Sequence, residues 1–263
     1  MVYILCIIPA RSGSKGIPDK NIRLYKNKPL LQHSIEQAKQ SKYFSNMRLI
    51  VSTDSQKYLN IAEKLGVKVP FLRPDNISDD LSTDYQYIKH AVDWLKINEK
   101  YVPNIILQLR PTSPERTVED IDNAIDIFIK YRHKYDSLRS VIKIDKTPYK
   151  MYHISNDILT PIFHKYNKMN EPYNLARQTF PTTYLHNGYI DILNTEILLN
   201  KTISGSRILP YVMKDSCNLD IDNEADLLSK RQFFSIFSFK LSSWTWRILH
   251  CLLYIFNTFY QFY

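Results

Sequence analysis

Cysteine, glycine and leader sequence are all in short supply in this chain. Only 3 cysteines occur, Cys6, Cys217 and Cys251, far apart and odd in number. Neither a disulfide framework nor a zinc cluster follows from them, and a reducing compartment is expected. Met1 runs directly into an apolar stretch, with no charged n-region, apolar h-region or cleavage site, which predicts a cytoplasmic protein rather than a secreted one. The formal net charge is +9, yet no long basic run and no aromatic-basic motif of a nucleic-acid module is present. A small acidic substrate is the simpler partner for that charge.

What is there fits a globular enzyme-sized domain. With 263 residues, 44% hydrophobic and 23% charged, the chain has enough apolar material to bury a full core and is not disordered by composition. Glycines number 5 against 19 tyrosines, so two glycines inside one short loop carry weight.

That loop runs from Pro9 to Asn21. It follows Val2 to Ile8, an apolar run whose β-branched content and length predict a buried strand of a parallel sheet. Ligands of open α/β sheets bind at the C-terminal strand edge, where this loop opens. Gly13 and Gly16 are expected to let backbone N–H groups converge on an anion, and Arg11, Lys15 and Lys20 supply positive charge. A Walker A loop is excluded, because only Ser14 and Lys15 separate the two glycines.

Alternating elements follow. Helical spacing begins after Pro29, a strand is expected at Met47 to Val51, and a helix runs to Leu65 before Gly66. Val67 to Leu72 reads as extended, Tyr85 to Lys96 as a helix, and Asn104 to Leu109 as a strand. Thr117 is placed to cap a helix carrying Val118, Ile121, Ile125 and Ile129. Strands are expected at Ser137 to Ile144, at Tyr189 to Ile192 after Asn187-Gly188, and at Arg207 to Met213. This β-α-β-α order predicts right-handed parallel crossovers. From Lys150 to Phe180, tyrosines, prolines and short apolar pairs suit a hairpin excursion.

Asp220 and Asp222 alternate about Ile221, so in an extended segment both carboxylates share a face. Two hard oxygen ligands side by side suit Mg²⁺, which fills its octahedron with phosphate and water. Asp222 as the N-cap of a following helix is a second reading, and both can hold.

The string Ala10-Arg11-Ser12-Gly13-Ser14-Lys15-Gly16-Ile17-Pro18-Asp19-Lys20-Asn21 resembles the N-terminal signature of the sugar-acid cytidylyltransferases, in particular the N-acylneuraminate type. The resemblance extends to Asp226 and implies a three-layer, Rossmann-like α/β nucleotidyltransferase with a mainly parallel sheet and a small β-rich dimerisation arm. It implies transfer of CMP from CTP to a free sialic or related nonulosonic acid, with Mg²⁺ as cofactor and a homodimer as the working form. Nucleotide contacts fall on Arg11, Ser12, Gly13, Ser14, Lys20, Asn21 and Arg73, the last because Arg73-Pro74 is followed by Ser78-Asp79 as in the relatives. Pro111-Thr112-Ser113-Pro114 matches the sugar-pocket segment, and Lys150, Arg177 and Asn187 match further positions near the sugar. Asp220-Ile221-Asp222 matches the metal motif. Arg11, Lys20 and Asp220 are then the catalytic candidates.

One departure stands out. Arg110 occupies the position before Pro-Thr-Ser-Pro where sialate enzymes usually carry Gln, which leaves the sugar open. Kdo-type cytidylyltransferases share fold and chemistry, but Lys20-Asn21 and Asp220-Ile221-Asp222 are closer to the sialate branch. A nucleotidyltransferase for another base, or an inactive nucleotide-binding protein tethered by its tail, remain alternatives, against which the intact Lys20, Asp220 and Asp222 argue.

The domain is expected to span residues 1–232, with the arm at about 150–180, and residues 233–263 to form a separate tail. That tail is rich in Phe, Leu, Tyr and Trp and is interrupted by His250, Asn257 and Gln261. An interfacial helix on a membrane surface and a docked or partner-binding segment both fit it.

Overall fold

Ile4 to Ile8 is an unbroken apolar run because the strand it forms is covered on both faces. The computed structural model describes residues 2–213 and 220–229, and the chain divides into two compact units, 1–222 and 223–263. The aromatic tail lies outside the described residues.

In chain order the first unit contains β1 (Ile4–Pro9), a small hairpin of β2 (Leu24–Tyr25) and β3 (Lys28–Pro29), α1 (Leu30–Gln40), β4 (Met47–Ser52), α2 (Gln56–Lys64), α3 (Asp84–Asn98), β5 (Ile105–Gln108), α4 (Val118–Tyr131) and β6 (Ser137–Ile144). Two hairpins follow, β7 (Tyr152–Ser155) with β8 (Ile158–Pro161) and β9 (Lys165–Tyr166) with β10 (Met169–Asn170). The long β11 (Thr183–Asn194) and β12 (Ile208–Met213) then return to the main sheet. Its six strands lie in the order β12-β6-β11-β5-β1-β4. All neighbours are parallel except β11, which runs antiparallel to both β5 and β6.

Side chains of β1 alternate between two apolar layers. Leu5 and Ile7 join Tyr87, Ile88, Ala91 and Leu95 of α3, whereas Ile4, Cys6 and Ile8 join residues of α1, α2 and α4, including Leu31, Tyr58, Ala62 and Phe128. The architecture is therefore three-layered α/β, as the resemblance implies. Burial pushes the Cys6 thiol up to about 12, so this cysteine is core packing and not a nucleophile.

Capping follows the local sequence. Ser55 and Thr117 accept the backbone N–H groups of Tyr58 and Asp120 at the starts of α2 and α4. At α3, Thr83 and Gln86 form a reciprocal capping box.

Three expectations are corrected. Val67 to Leu72 forms no strand; Leu72 makes an isolated parallel bridge to Thr53. Asn187-Gly188 does not precede a strand but lies inside β11, where the register against β6 shifts between His186 and Asp191. Such a bulge re-aims side chains without ending the strand. In the second unit, helix α5 (Glu224–Ser229) starts after Asn223, whose Oδ1 accepts from Asp226 N at 2.9 Å while Asn223 N donates to Asp226 Oδ2 at 3.0 Å. Asn223, not Asp222, plays the capping role. Among the described residues no helix is long and apolar enough to cross a membrane.

Candidate active site

The loop after β1 stands at the C-terminal edge of the sheet and is tied down by side chains. Asp54, just past the end of β4, accepts from both Ser12 N and Ser12 Oγ at 2.8 Å. Ser14 N donates to Ser12 O, and Asn21 Nδ2 donates to Arg11 O at 2.9 Å. The backbone N–H groups of Ser12 and Ser14 are thus used inside the protein, and the loop also brings Arg11, Lys15 and Lys20 to this edge. Arg11 Nη1 sits 2.8 Å from Asp80 Oδ1, and Lys15 pairs with the same carboxylate. Lys20 Nζ, with a largely covered side chain, is 2.8 Å from Asp222 Oδ1.

Of the two loop glycines, only Gly16 is demanded by space. A Cβ there would lie 2.7 Å from the Asp222 carbonyl oxygen, whereas one on Gly13 would meet nothing within 4 Å. Gly16 therefore sets how closely the loop and the Asp220–Asp222 segment approach. Gly16→Ala is expected to force these segments apart and to lower stability by about 1–3 kcal/mol, read as a shifted denaturation midpoint, whereas Gly13→Ala should leave it in place.

A cleft of about 190 Å³ opens beside this loop. Arg11, Ser14, Lys20 and Asn21 line one side, and Arg73 and Thr112 are contributed by other segments. Arg73 is a fixed wall. Its Nε donates to Ser52 Oγ at 3.1 Å and its Nη2 to Ser52 O at 2.6 Å, while its guanidinium stacks 4.6 Å over the Tyr87 ring. Burial lowers its pKa from the ordinary arginine value.

Opposite stands Arg110, between two carboxylates. Its Nη2 is 2.6 Å from Asp84 Oδ2, and its Nη1 is 2.6 Å from Asp191 Oδ2 and donates to Gly188 O at 3.2 Å. Burial works against the Arg110 charge, but Asp191 and Asp84 outweigh it and hold its pKa above the ordinary value. Gly188 has φ +64°, and a Cβ on it would meet Arg110 Nη1 at 3.1 Å. The bulge glycine is what lets this guanidinium pass.

Arg116, buried at 3% exposure, has no carboxylate partner at hydrogen-bond distance among the described residues. Its donors go to Tyr189 O, Ser34 Oγ, Gln37 Oε1 and Arg110 O, which clamps the Arg110–Arg116 turn onto α1 and β11. Burial lowers its pKa to about 10. Ser113 is buried within that turn.

The carboxylate pair lies beside the same cleft. Ile221 is fully buried and its N–H donates to Thr112 O at 2.9 Å, which fixes the segment to the Arg110–Arg116 turn. Among the described residues Asp220 Oδ1 is buried without a hydrogen-bond partner, and burial raises the Asp220 pKa, against an opposing hydrogen bond from Thr112. An orphaned carboxylate oxygen next to a second carboxylate is the donor set a hard cation takes. No group of three or more His, Cys, Asp or Glu able to hold a metal occurs among the described residues. A metal here would complete its sphere with phosphate and water.

The remaining candidates sit elsewhere. Asn187 is buried and turned inward, with its Oδ1 accepting from Ser140 Oγ at 2.7 Å and its Nδ2 on Met213 Sδ. Arg177 pairs with Asp145 at 2.8 Å and lines a separate cleft of about 350 Å³ at the base of the arm. Lys150, itself exposed, ends a half-buried turn at the same base. Asp54, Asp84, Asp191 and Arg116 carry much of the site's organisation, and sequence reasoning passed over them. Asp54 had one signal available, its place just past a strand's C-terminal end.

The cytidylyltransferase family profile matches residues 5–241. The chain is 36% identical over 224 residues to an N-acylneuraminate cytidylyltransferase of Escherichia coli, covering 85% of this chain and 50% of the relative. It is 30% identical over 230 residues to the post-translational flagellin modification protein B of Campylobacter coli, covering 86% of this chain and 92% of that one. The chain spans about half the length of the N-acylneuraminate relatives it matches. Among solved structures, a CMP:2-keto-3-deoxy-manno-octonic acid synthetase complexed with CTP superposes with a TM-score of 0.61 at 16% identity, covering 89% of this chain and 98% of that one. At that identity the likeness speaks for the fold.

Proposed function

The chain belongs to the cytidylyltransferase family, and from that membership we propose that it transfers CMP from CTP to the anomeric hydroxyl of a free α-keto sugar acid of the sialic or related nonulosonic type. The hydroxyl oxygen bonds to the α-phosphorus, the bond from that phosphorus to the β-phosphate bridging oxygen breaks, pyrophosphate leaves and the hydroxyl proton is lost. Such a step needs alignment and charge neutralisation more than covalent catalysis.

The observation that carries this reading is the convergence of Arg11 and Lys20 of one loop with Arg73 and Thr112 of two other segments on one cleft at the sheet's C-terminal edge. Arg11 and Lys20 are assigned to the triphosphate, where they would exchange Asp80 and Asp222 for phosphate oxygens. Ser12, Gly13, Ser14 and Asn21 shape the loop around the nucleotide, and Arg73 forms its wall. Thr112 and Ser113 belong to the turn assigned to the sugar, and Asn187 supports that side from within the bulge. Asp220 and Asp222 are assigned to a divalent metal, with Mg²⁺ preferred because only two protein carboxylates are on offer. When bound, that ion supplies charge neutralisation and acidifies the attacking hydroxyl.

A homodimer built through the arm is part of the proposal. Ile154 is 74% exposed and Ile158 65%, an apolar surface on a small excursion that asks for a cover. Lys150 and Arg177 then serve the partner's cleft. Residues 1–232 are assigned as the catalytic domain of a cytoplasmic enzyme, and residues 233–263 as a tail in peripheral contact with a membrane.

Pyrophosphate release tests the reaction. The full chain with CTP, Mg²⁺ and a panel of nonulosonic acids is expected to release pyrophosphate with at least one of them, and not with GTP or ATP in place of CTP. No release across the panel, Kdo included, in a protein that still binds CTP would overturn the assignment to transfer.

A further inference from the structure

Arg110 stands where the resemblance to the sialate enzymes implies Gln, and the structure changes what that difference means. A lone arginine in a sugar pocket would be read as a grip for an acid. Here both terminal nitrogens of Arg110 are already committed, Nη1 to Asp191 and Gly188 O, and Nη2 to Asp84. Both N–H groups of Nη1 are thus taken, so the end-on Nη1–Nη2 fork is not open to a substrate carboxylate. Of its two acidic partners, Asp191 is buried, whereas the Asp84 side chain is 34% exposed and lines the same cleft as Arg11 and Lys20.

Resting on the nucleotidyl-transfer reading above, we propose that Asp84 is a specificity-determining residue of this cleft, an acceptor for a substrate hydroxyl, and that Arg110 serves to hold it. Three features fix the carboxylate. Arg110 and Gln108 both donate to Asp84 Oδ2, at 2.6 and 3.1 Å. The backbone beneath it is the first turn of α3, locked by the Thr83–Gln86 capping box. Tyr87, one turn on, is pinned beneath Arg73. An ionised carboxylate so placed only accepts hydrogen bonds and repels a second anion. The cleft wall is therefore selective for a hydrogen-bond donor, and hydroxyls are the donors that both substrates carry.

Two substrate groups have that chemistry, a ribose hydroxyl of the nucleotide and a hydroxyl of the sugar acid, and one experiment separates them. Calorimetric titration of the full chain with CTP, 2′-deoxy-CTP and 3′-deoxy-CTP is paired with transfer kinetics at saturating CTP for sugar acids with and without individual hydroxyls. If the partner is ribose, wild type binds one deoxynucleotide at least about tenfold more weakly than CTP, in line with a hydrogen bond to a charged group. Asp84→Ala then reduces that ratio to near one, and Asp84→Asn restores part of it. If the partner is the sugar, Asp84→Ala leaves CTP affinity in place and raises the sugar KM by about tenfold or more, with loss of the preference for the hydroxylated acid.

A wild type indifferent to every one of these hydroxyls overturns the proposal whether or not the variants fold. So does an Asp84→Ala protein that loses all substrates by one common factor, which would make Asp84 a scaffold for Arg110 alone. A wild type that binds CTP and discriminates hydroxyls yet transfers nothing would leave Asp84's role standing and remove the transfer reading.

Discussion

Asp220→Asn is expected to lower the rate of CMP transfer by about a hundredfold or more while leaving the melting temperature unchanged or raised. Both halves come from one observation. Asp220 is largely buried, its Oδ1 has no hydrogen-bond partner among the described residues, and burial raises its pKa. A carboxyl whose folded pKa lies above its unfolded value favours the fold below the unfolded pKa and loses that contribution as pH rises through the folded pKa. At neutral pH the ionised group therefore works against folding, and a neutral amide of the same shape relieves that cost. A buried carboxylate kept at such a cost fits a role in holding a cation. Mg²⁺ should accordingly raise the melting temperature of the wild type and not of Asp220→Asn. Calorimetric scans with and without Mg²⁺, beside pyrophosphate-release rates, check the three statements together. A variant that unfolds more easily and still turns over would show Asp220 to be structural.

The largest stability effect is expected at Asp191. Asp191→Ala should cost about 3–5 kcal/mol, because it strands cations in the interior. Arg110 is 2.6 Å from one oxygen of this carboxylate, and His186 Nε2 and Arg139 lie at 2.8 and 3.5 Å from the other. Burial tends to raise the Asp191 pKa, but the His186 hydrogen bond and the charges of Arg110, His186 and Arg139 overcome it and bring it to about 2. The linkage sign is opposite to that of Asp220. A depressed folded pKa contributes stability that is present above the ordinary carboxylate value and is lost as pH falls through about 2. Urea unfolding at pH 7 should thus separate wild type from Asp191→Ala widely, and the gap should narrow below pH 4. Equal midpoints at pH 7 would overturn this account. Arg110→Gln is the informative companion, since removing the cation that faces the cleft tests whether the pair is held for folding or for Asp84.

Much of the architecture was legible along the chain. Ile4–Pro9, α1, α3 and α4 follow from apolar periodicity and from capping residues such as Thr117, signals that act within a few residues of one another. The loop from Pro9 to Asn21 declared its cations in the same way. Local signals failed where pairing replaced periodicity. Val67 to Leu72 has strand composition but only one bridge, and Asn187-Gly188 reads as a turn although β6 keeps it inside a strand as a bulge.

By itself, then, the sequence determined the α/β layering, the position of the basic loop and the two carboxylates at Asp220 and Asp222, because burial patterns, caps and motif strings are short-range properties. Tertiary structure alone decided what those groups do to each other. Lys20 meets Asp222 across 202 positions, Arg110 meets Asp84 across 26 and Asp191 across 81, and Gly16 is needed because the Asp222 carbonyl passes beneath it. The physical reason is that a charge is defined by its neighbours. Arg110 is a free cation in a linear reading, and in the folded chain it is the fixed support of an acceptor, because packing brings two carboxylates to its donors before any substrate arrives.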